Sequence, residues 1–351
     1  MNGLKLNIKK DDDMKELKGA KILFIGPKYF GYEKDICKKL EELGAYVYFL
    51  PENMDYINPI YSAINKLPIK VSEKFFEKHF IKKIMKCNEK DFDFVFLIRG
   101  KLITQGVLEH LKRVYKNAKF IMYQWDSIEN VKNAQNLFKY FDEISTFDMR
   151  DYEKYSKESG KWKFRPLFYV DDFCIDKRNR SEYDIDILFV GSYHSERNLF
   201  INGIKDFCKR EGLKFFTYLY IPRFYFIKRK LTSKEFRTVN LNEVQFKALS
   251  RYELIELVKR SKLIIDYQAH SQSGLTMRTI ESIGAKSKLI TTNEHVKYYD
   301  FYNPINIMIV NKENIGAQID VSFINNDYVE IDQNIYEKYS LRNWILDIFI
   351  N

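Results

Sequence analysis

The sequence predicts an α/β protein made of two similar halves, each a parallel sheet between helices. Three observations predict it. "ILFIG" at 22–26 and "ILFVG" at 187–191 are continuous apolar runs of one pattern, 165 residues apart, as expected of parallel strands covered on both faces. Each run leads through a Gly-containing turn into apolar residues at helical spacing, Ile36, Leu40 and Leu43 in the first half. Strand and helix patterns then alternate along both halves, which implies crossover connections. A chain of 351 residues fits two domains of this kind.

The elements follow in order. Residues 21–50 read as strand, turn, helix and strand. Further strands are predicted near 93–98, 119–124 and 143–147, with helices near 72–88, 104–116, 129–140 and 150–158. Residues 184–220 repeat the opening pattern, followed by helices near 250–260 and 275–284 and strands near 262–267, 288–292 and 306–310. Between the halves, "KFRPLFYVDDFCIDKRNRSEYD" combines Pro with dense charge, as a boundary does. This gives an N-terminal Rossmann-like domain at 1–165, a linker at 166–185 and a C-terminal Rossmann-like domain at 186–330. A last segment at 331–351, with the helix "YSLRNWILDIFI", would brace the N-terminal domain.

Composition narrows the function classes. A net charge of +10 favours anionic partners: phosphorylated ligands, acidic lipid or nucleic acid. The four Cys are far apart and lack CxxC spacing, which argues against a disulfide framework or a zinc site. The N-terminal "MNGLKLNIKKDDDMKELKG" has no apolar h-region, so no secretion signal is expected. No apolar run approaches the roughly 18 residues of a spanning helix. The expected location is the cytoplasm, peripheral on the inner face of the plasma membrane.

In doubly wound sheets ligands bind at the carboxyl ends of the strands, and two such sheets make the cleft between them the natural site. After the first strand come Gly26, Gly31 and Glu33 in "GPKYFGYE". This is no GxGxxG, and no acidic residue is read at the place after the second strand that a dinucleotide fingerprint needs. The glycines either make the turn or receive an acceptor. Arg99 leaves the strand "DFVFLI" and meets either a carboxylate or a ligand anion. Asp126, in "QWDSIEN", is a general base for an acceptor hydroxyl, or else Asp126 or Ser127 caps the next helix.

In the second half, Gly191 and Ser192 lie where helix-terminal amides gather phosphate, with His194 and Arg197 close by. His194 is a catalytic candidate or a capping residue, and Arg197 a diphosphate ligand or helix decoration. Asp266 ends a strand. His270, Gln272 and Ser273 follow in a small-residue loop, and Gly274 allows a ligand close to the backbone. Arg278 and Glu281 share a helix face at i, i+3, either as a structural ion pair or as ligands to a diphosphate and a ribose.

The stretches "ILFVGSYHSER", "GLTMRTIESIGAKSKLITTN" and "YDFYNPINIMIV" resemble the donor domain of GT-B glycosyltransferases, CgeB-like and group-1-type, from bacterial capsule and lipopolysaccharide clusters. "ILFIGPKYFGYE", "LIRG" and "MYQWDSIENVKN" look like the matching N-terminal domain, so the likeness spans most of residues 20–312. It implies the GT-B fold, two Rossmann-like domains whose parallel sheets face each other across a cleft. It also implies a nucleotide-sugar donor on the C-terminal domain, a glycan or lipid-linked glycan acceptor on the N-terminal one, no cofactor and no obligatory metal. By this carry-over Glu281 binds the donor ribose, and Arg278 with the Gly191–Ser192 loop serves the diphosphate. Arg197, His270, Ser273 and Gly274 complete the donor side, and Gly31, Glu33 and Arg99 the acceptor side. Many retaining members carry a second Glu eight residues before the helix Glu; here that place is Ser273. The stereochemistry therefore stays open, and if the enzyme inverts, Asp126 and His194 are the candidate bases.

Residues 209–237 hold nine Lys/Arg against two Glu, with eight Phe/Tyr. They read as one buried strand followed by a solvated basic loop, or as a contact for an anionic membrane surface. Nucleic acid is not expected as a partner, since no RRM, KH or helix-turn-helix pattern appears. Besides a metal-independent transferase acting on a surface glycan, two alternatives remain. One is a sugar-nucleotide epimerase of the same fold. The other is a non-catalytic module binding nucleic acid or anionic lipid.

Overall fold

The computed structural model of the chain describes residues 16–52, 64, 69–87, 89, 91–175, 183–237, 239–268, 273–313 and 315–350. The chain divides into two compact units, residues 1–165 with 345–351, and residues 166–344.

The first unit runs β1 (Lys21–Gly26), α1 (Tyr32–Glu42), β2 (Tyr46–Pro51), α2 (Ile69–Ile84), β3 (Phe94–Ile98), α3 (Gln105–Val114), β4 (Lys119–Gln124), a 3₁₀ segment (Ile128–Tyr140), β5 (Glu143–Thr146), α4 (Met149–Tyr155) and β6 (Trp162–Phe164). All pairs are parallel, in the order β2-β1-β3-β4-β5-β6. The apolar runs of β1, β3 and β4 are buried on both faces, which is why they lack alternation. Thr104 caps α3 by accepting from the Val107 N–H, and Asp148 caps α4 by accepting from those of Arg150 and Asp151.

The segment expected as a helix near 129–140 is 3₁₀ and interrupted at Val131 (φ −128°, ψ 53°). Its buried residues explain the winding: Ile128, Val131, Ala134 and Leu137 recur every third position, the period of a 3₁₀ turn. Neither Asp126 nor Ser127 caps it; the Ile128 N–H donates instead to Asp151 Oδ2 at 2.9 Å, from α4. The short strand β6 falls outside the sequence-based reading.

The second unit runs β7 (Ile185–Ser192), α5 (Ser195–Glu211), β8 (Phe215–Tyr220), α6 (Arg223–Thr232), α7 (Lys234–Arg237), α8 (Arg251–Lys259), β9 (Ser261–Asp266), α9 (Met277–Gly284), β10 (Lys288–Thr291) and β11 (Ile307–Ile309). It ends in α10 (Ile315–Gln318), α11 (Val321–Asn325), α12 (Gln333–Lys338) and α13 (Leu341–Phe349). Its sheet is also wholly parallel, in the order β11-β10-β9-β7-β8. The basic aromatic stretch is not a strand and loop: after β8, Pro222 occupies the N-cap of α6, whose Phe226 is buried. The last helix changes unit along its length. Trp344 packs on Phe168 in the second unit, while in the first Phe349 packs on Phe94 and Phe96 and Asp347 pairs with Arg165.

Chain order positions the sites. β1 lies between β2 and β3, and β7 between β8 and β9, so each sheet reverses winding direction beside its first strand. Open parallel sheets take ligands at this switch point, beyond the carboxyl ends of the strands.

Candidate functional site

At the switch point of the second unit, Gly191 and Ser192 are the last residues of β7, paired with Leu219 and Tyr220 of β8, so the connecting loop is only Tyr193 and His194. His194 is exposed and holds the N-cap position of α5 without a side-chain capping bond. Arg197, in the first turn of α5, neither decorates the helix nor points freely outward. Its Nη1 donates to the Ser192 carbonyl at 2.6 Å and its Nη2 to the Tyr267 carbonyl at 3.4 Å, which ties the exits of β7 and β9 together. Its guanidinium also lies over the Tyr267 and Phe189 rings. Burial lowers its affinity for a proton, and the nearby Asp266 charge works in the opposite direction.

Asp266 closes β9 and is fully buried. Its Oδ2 accepts from the hydroxyls of Thr279 on α9 (3.0 Å) and Thr291 on β10 (3.3 Å). Burial pushes its carboxyl above the usual range, opposed by bonds from Thr276 and Thr279 and by the charges of Arg278 and Arg197. One carboxyl therefore fixes the start of α9 against two strands. Thr276 caps that helix by accepting from the Thr279 N–H at 3.2 Å.

Arg278 and Glu281 form the ion pair their spacing allows, Nη1 to Oε2 at 2.9 Å, with side chains 18% and 3% exposed. Ser273 and Gly274, in the loop before α9, are buried. Two residues that sequence reasoning missed hold this loop. Gln268 Nε2 donates to the Gly274 carbonyl (2.7 Å), and Asn293 Nδ2 donates to Gln268 Oε1 (2.6 Å) and the Ser273 carbonyl (3.3 Å). The Gln268 N–H is held in turn by Thr292 Oγ1 at 2.9 Å. Only their place two residues beyond β9 and β10 marks them; the residue types carry no signal. His270, also expected on this side, lies outside the described residues.

At the switch point of the first unit, Gly31 is the N-cap of α1 at φ 85°, the left-handed region that favours glycine. Glu33 is buried, and its Oε2 accepts from the Tyr29 N–H at 3.0 Å, closing the loop after β1. Arg99 has φ 76°, a strained value for a residue with a side chain. It is held from every side: its N–H donates to the Tyr123 carbonyl, its carbonyl accepts from Gln124 Nε2, and its Nε pairs with Asp126 Oδ2 at 3.0 Å. Asp126 is the carboxylate partner that one sequence reading of Arg99 expected. Beside this pair stand Tyr29 and Phe30, 51% and 64% exposed, with ring centroids 4.6 Å apart and Trp125 at 6.0 Å from Tyr29.

The first half does carry an acid directly after its second strand. Glu52 follows β2, is fully buried, and its Oε1 accepts from the Leu102 N–H at 2.6 Å in the loop after β3. A carboxyl enclosed in this way is a loop anchor and is not presented to a ribose. Burial pushes it up to about 7, partly offset by the Leu102 N–H and the charge of Arg99. Its folded value lies above the ordinary 4.5, so the stability from protonation is complete below about 4.5 and lost as pH rises through about 7. That slope should amount to something on the order of 3 kcal/mol. A Glu52→Gln variant, followed by denaturant unfolding across this range, is expected to lose the slope and to match or exceed the parent at alkaline pH.

Among the described residues no group of three or more His, Cys, Asp or Glu is placed to hold a metal ion. No family model matches the chain, and no curated protein matches it. Solved structures do. The UDP-GlcNAc 2-epimerase of Methanocaldococcus jannaschii, in complex with UDP-GlcNAc and UDP, is similar over 95% of this chain and 100% of its own, with TM-score 0.58 and 11% identity. HepE of Anabaena, in complex with UDP and glucose, is similar over 93% of this chain and 98% of its own, with TM-score 0.56 and 12% identity. The lipopolysaccharide outer core galactosyltransferase WaaB is similar over 94% and 99%, with TM-score 0.53 and 15% identity. At these identities the likeness speaks for architecture: two Rossmann-like α/β domains with parallel sheets of six and five strands, the GT-B fold.

Proposed function

We propose that the protein is a glycosyltransferase that moves a sugar from a nucleotide-sugar donor to a hydroxyl of a growing surface glycan, of capsule or lipopolysaccharide type. One observation carries the reading. The Arg278–Glu281 pair, Glu281 buried and Arg278 half-buried, lies on α9 at the switch point of the second sheet, after a loop pinned by Gln268 and Asn293. A charged pair is costly in that position as packing alone, whereas a donor nucleotide uses both charges. In support, the epimerase and HepE structures similar to this chain were solved with UDP.

In this reading Glu281 accepts hydrogen bonds from the ribose, and Arg278 with the backbone amides opening α5 and α9 meets the diphosphate. Arg197 holds the two strand exits in register around it. The acceptor oxygen attacks the anomeric carbon while the bond from that carbon to the diphosphate oxygen breaks. The pair of electrons leaves with the nucleoside diphosphate, whose charge these cations and amides stabilise without a metal. In an inverting reaction Asp126 or His194 takes the hydroxyl proton. Asp126 stands beside the Tyr29, Phe30 and Trp125 rings, and aromatic faces suit the apolar face of a sugar. Tyr29→Ala and Trp125→Ala are each expected to raise the acceptor KM about tenfold, with the donor KM unchanged.

A sugar-nucleotide epimerase is the second reading, favoured by the Methanocaldococcus jannaschii structure. Product analysis separates the two. A transferase releases nucleoside diphosphate in proportion to glycosylated acceptor and leaves the recovered donor sugar unchanged. An epimerase converts the donor with no acceptor present, and that outcome would replace the transferase reading. An anionic membrane surface is the remaining partner proposed, through residues 209–237.

A further inference from the structure

Helix α6 has two apolar faces. Phe226 points inward and is 3% exposed. Phe224, Ile227 and Leu231, at i, i+3 and i+7, form a second stripe that is 79%, 52% and 73% exposed. On the helical wheel Arg223 and Lys230 border this stripe on one side and Lys228 on the other. No acidic residue occurs from Arg223 to Lys234. The helix is anchored from behind: Phe226 packs on Phe236 and Phe246, and Arg229 lies over the Phe236 ring at 4.9 Å. The stripe is therefore presented by a fixed helix, and among the described residues no helix is long and apolar enough to cross a membrane.

We propose that α6 is an interfacial helix that lies on an anionic lipid surface, with Phe224, Ile227 and Leu231 in the acyl boundary and Arg223, Lys228 and Lys230 at the headgroups. Apolar side chains flanked only by cations match such a surface on both counts. A second copy of the chain does not, because pairing α6 with itself would bring like charges together. A nucleic acid would leave the aliphatic stripe unused. Lys234 and Arg237, on the following α7, are exposed as well. The inference makes no use of the donor site, so it stands or falls separately from the transferase reading.

The test is vesicle flotation of the full chain, with phosphatidylcholine vesicles that contain or lack phosphatidylglycerol. Binding is expected only with phosphatidylglycerol, and it should weaken as salt rises. Phe224→Ser/Ile227→Ser/Leu231→Ser should lower it about tenfold or more, and Lys228→Glu/Lys234→Glu should lower it further at low salt than at high salt. All these side chains are exposed, so the thermal midpoint and any nucleotide-induced rise in it should be unchanged. Binding by the triple variant equal to the parent, binding indifferent to phosphatidylglycerol, or no vesicle binding at all would overturn the proposal. So would a concentration-dependent dimer, or an oligonucleotide complex, that the triple variant abolishes.

Discussion

Glu281→Ala is expected to reduce donor-dependent turnover about a hundredfold or more, measured as kcat/KM for the nucleotide sugar. The carboxylate is 3% exposed and already oriented by Arg278, so its bonds to a ribose would form without reorganisation. A hydrogen bond to a charged group is worth about 1.5–3 kcal/mol, and a ribose offers two hydroxyls. The alanine also leaves Arg278 without that carboxylate in a partly buried place. For this reason Glu281→Gln belongs beside it. The amide keeps the volume and one acceptor, so it should fold like the parent while losing about tenfold or more in kcat/KM. If both variants kept full turnover, the donor would lie elsewhere.

The second large effect is on stability. Asp266→Ala should destabilise the second unit by about 2–4 kcal/mol, because the hydroxyls of Thr279 and Thr291 would lose a buried acceptor and a void would remain. Asp266→Asn keeps the shape and an acceptor, and it should cost less than half as much. Urea unfolding followed by far-UV circular dichroism measures both. If the alanine variant were as stable as the parent, α9 would be held by its apolar face alone.

Much of the architecture could be read from the sequence, for reasons visible in particular strands. β1 is enclosed on both faces, and β7 is buried through Ile187, Leu188 and Phe189, so each shows an apolar run. The i, i+3 spacing of Arg278 and Glu281 was equally visible, and its ion pair is present. Helix α6 was hidden because its dense Lys and Arg, with apolar residues on two faces, read as a solvated basic loop after the strand, although Pro222 marks its start. The 3₁₀ segment was read as an α-helix because spacings of three serve both periods. Residues that act through long-range bonds left least trace. Gln268 and Asn293 meet only when β9 and β10 are adjacent, and Glu52 finds the Leu102 amide only when the loops after β2 and β3 approach. Arg99 was visible as a charge leaving a strand, but its positive φ and its choice of Asp126 are properties of the folded chain.

The central claim is that a nucleoside diphosphate binds at the carboxyl edge of the second sheet through Glu281. Its most direct test is thermal denaturation of the full chain with UDP, GDP, CMP, ADP or dTDP in turn, repeated with Glu281→Gln. A ligand that binds only the folded state raises the midpoint by mass action. The account predicts a rise with one nucleotide class that the Gln variant loses while keeping its own midpoint without ligand. No rise with any nucleotide, or an equal rise in the Gln variant, would contradict it.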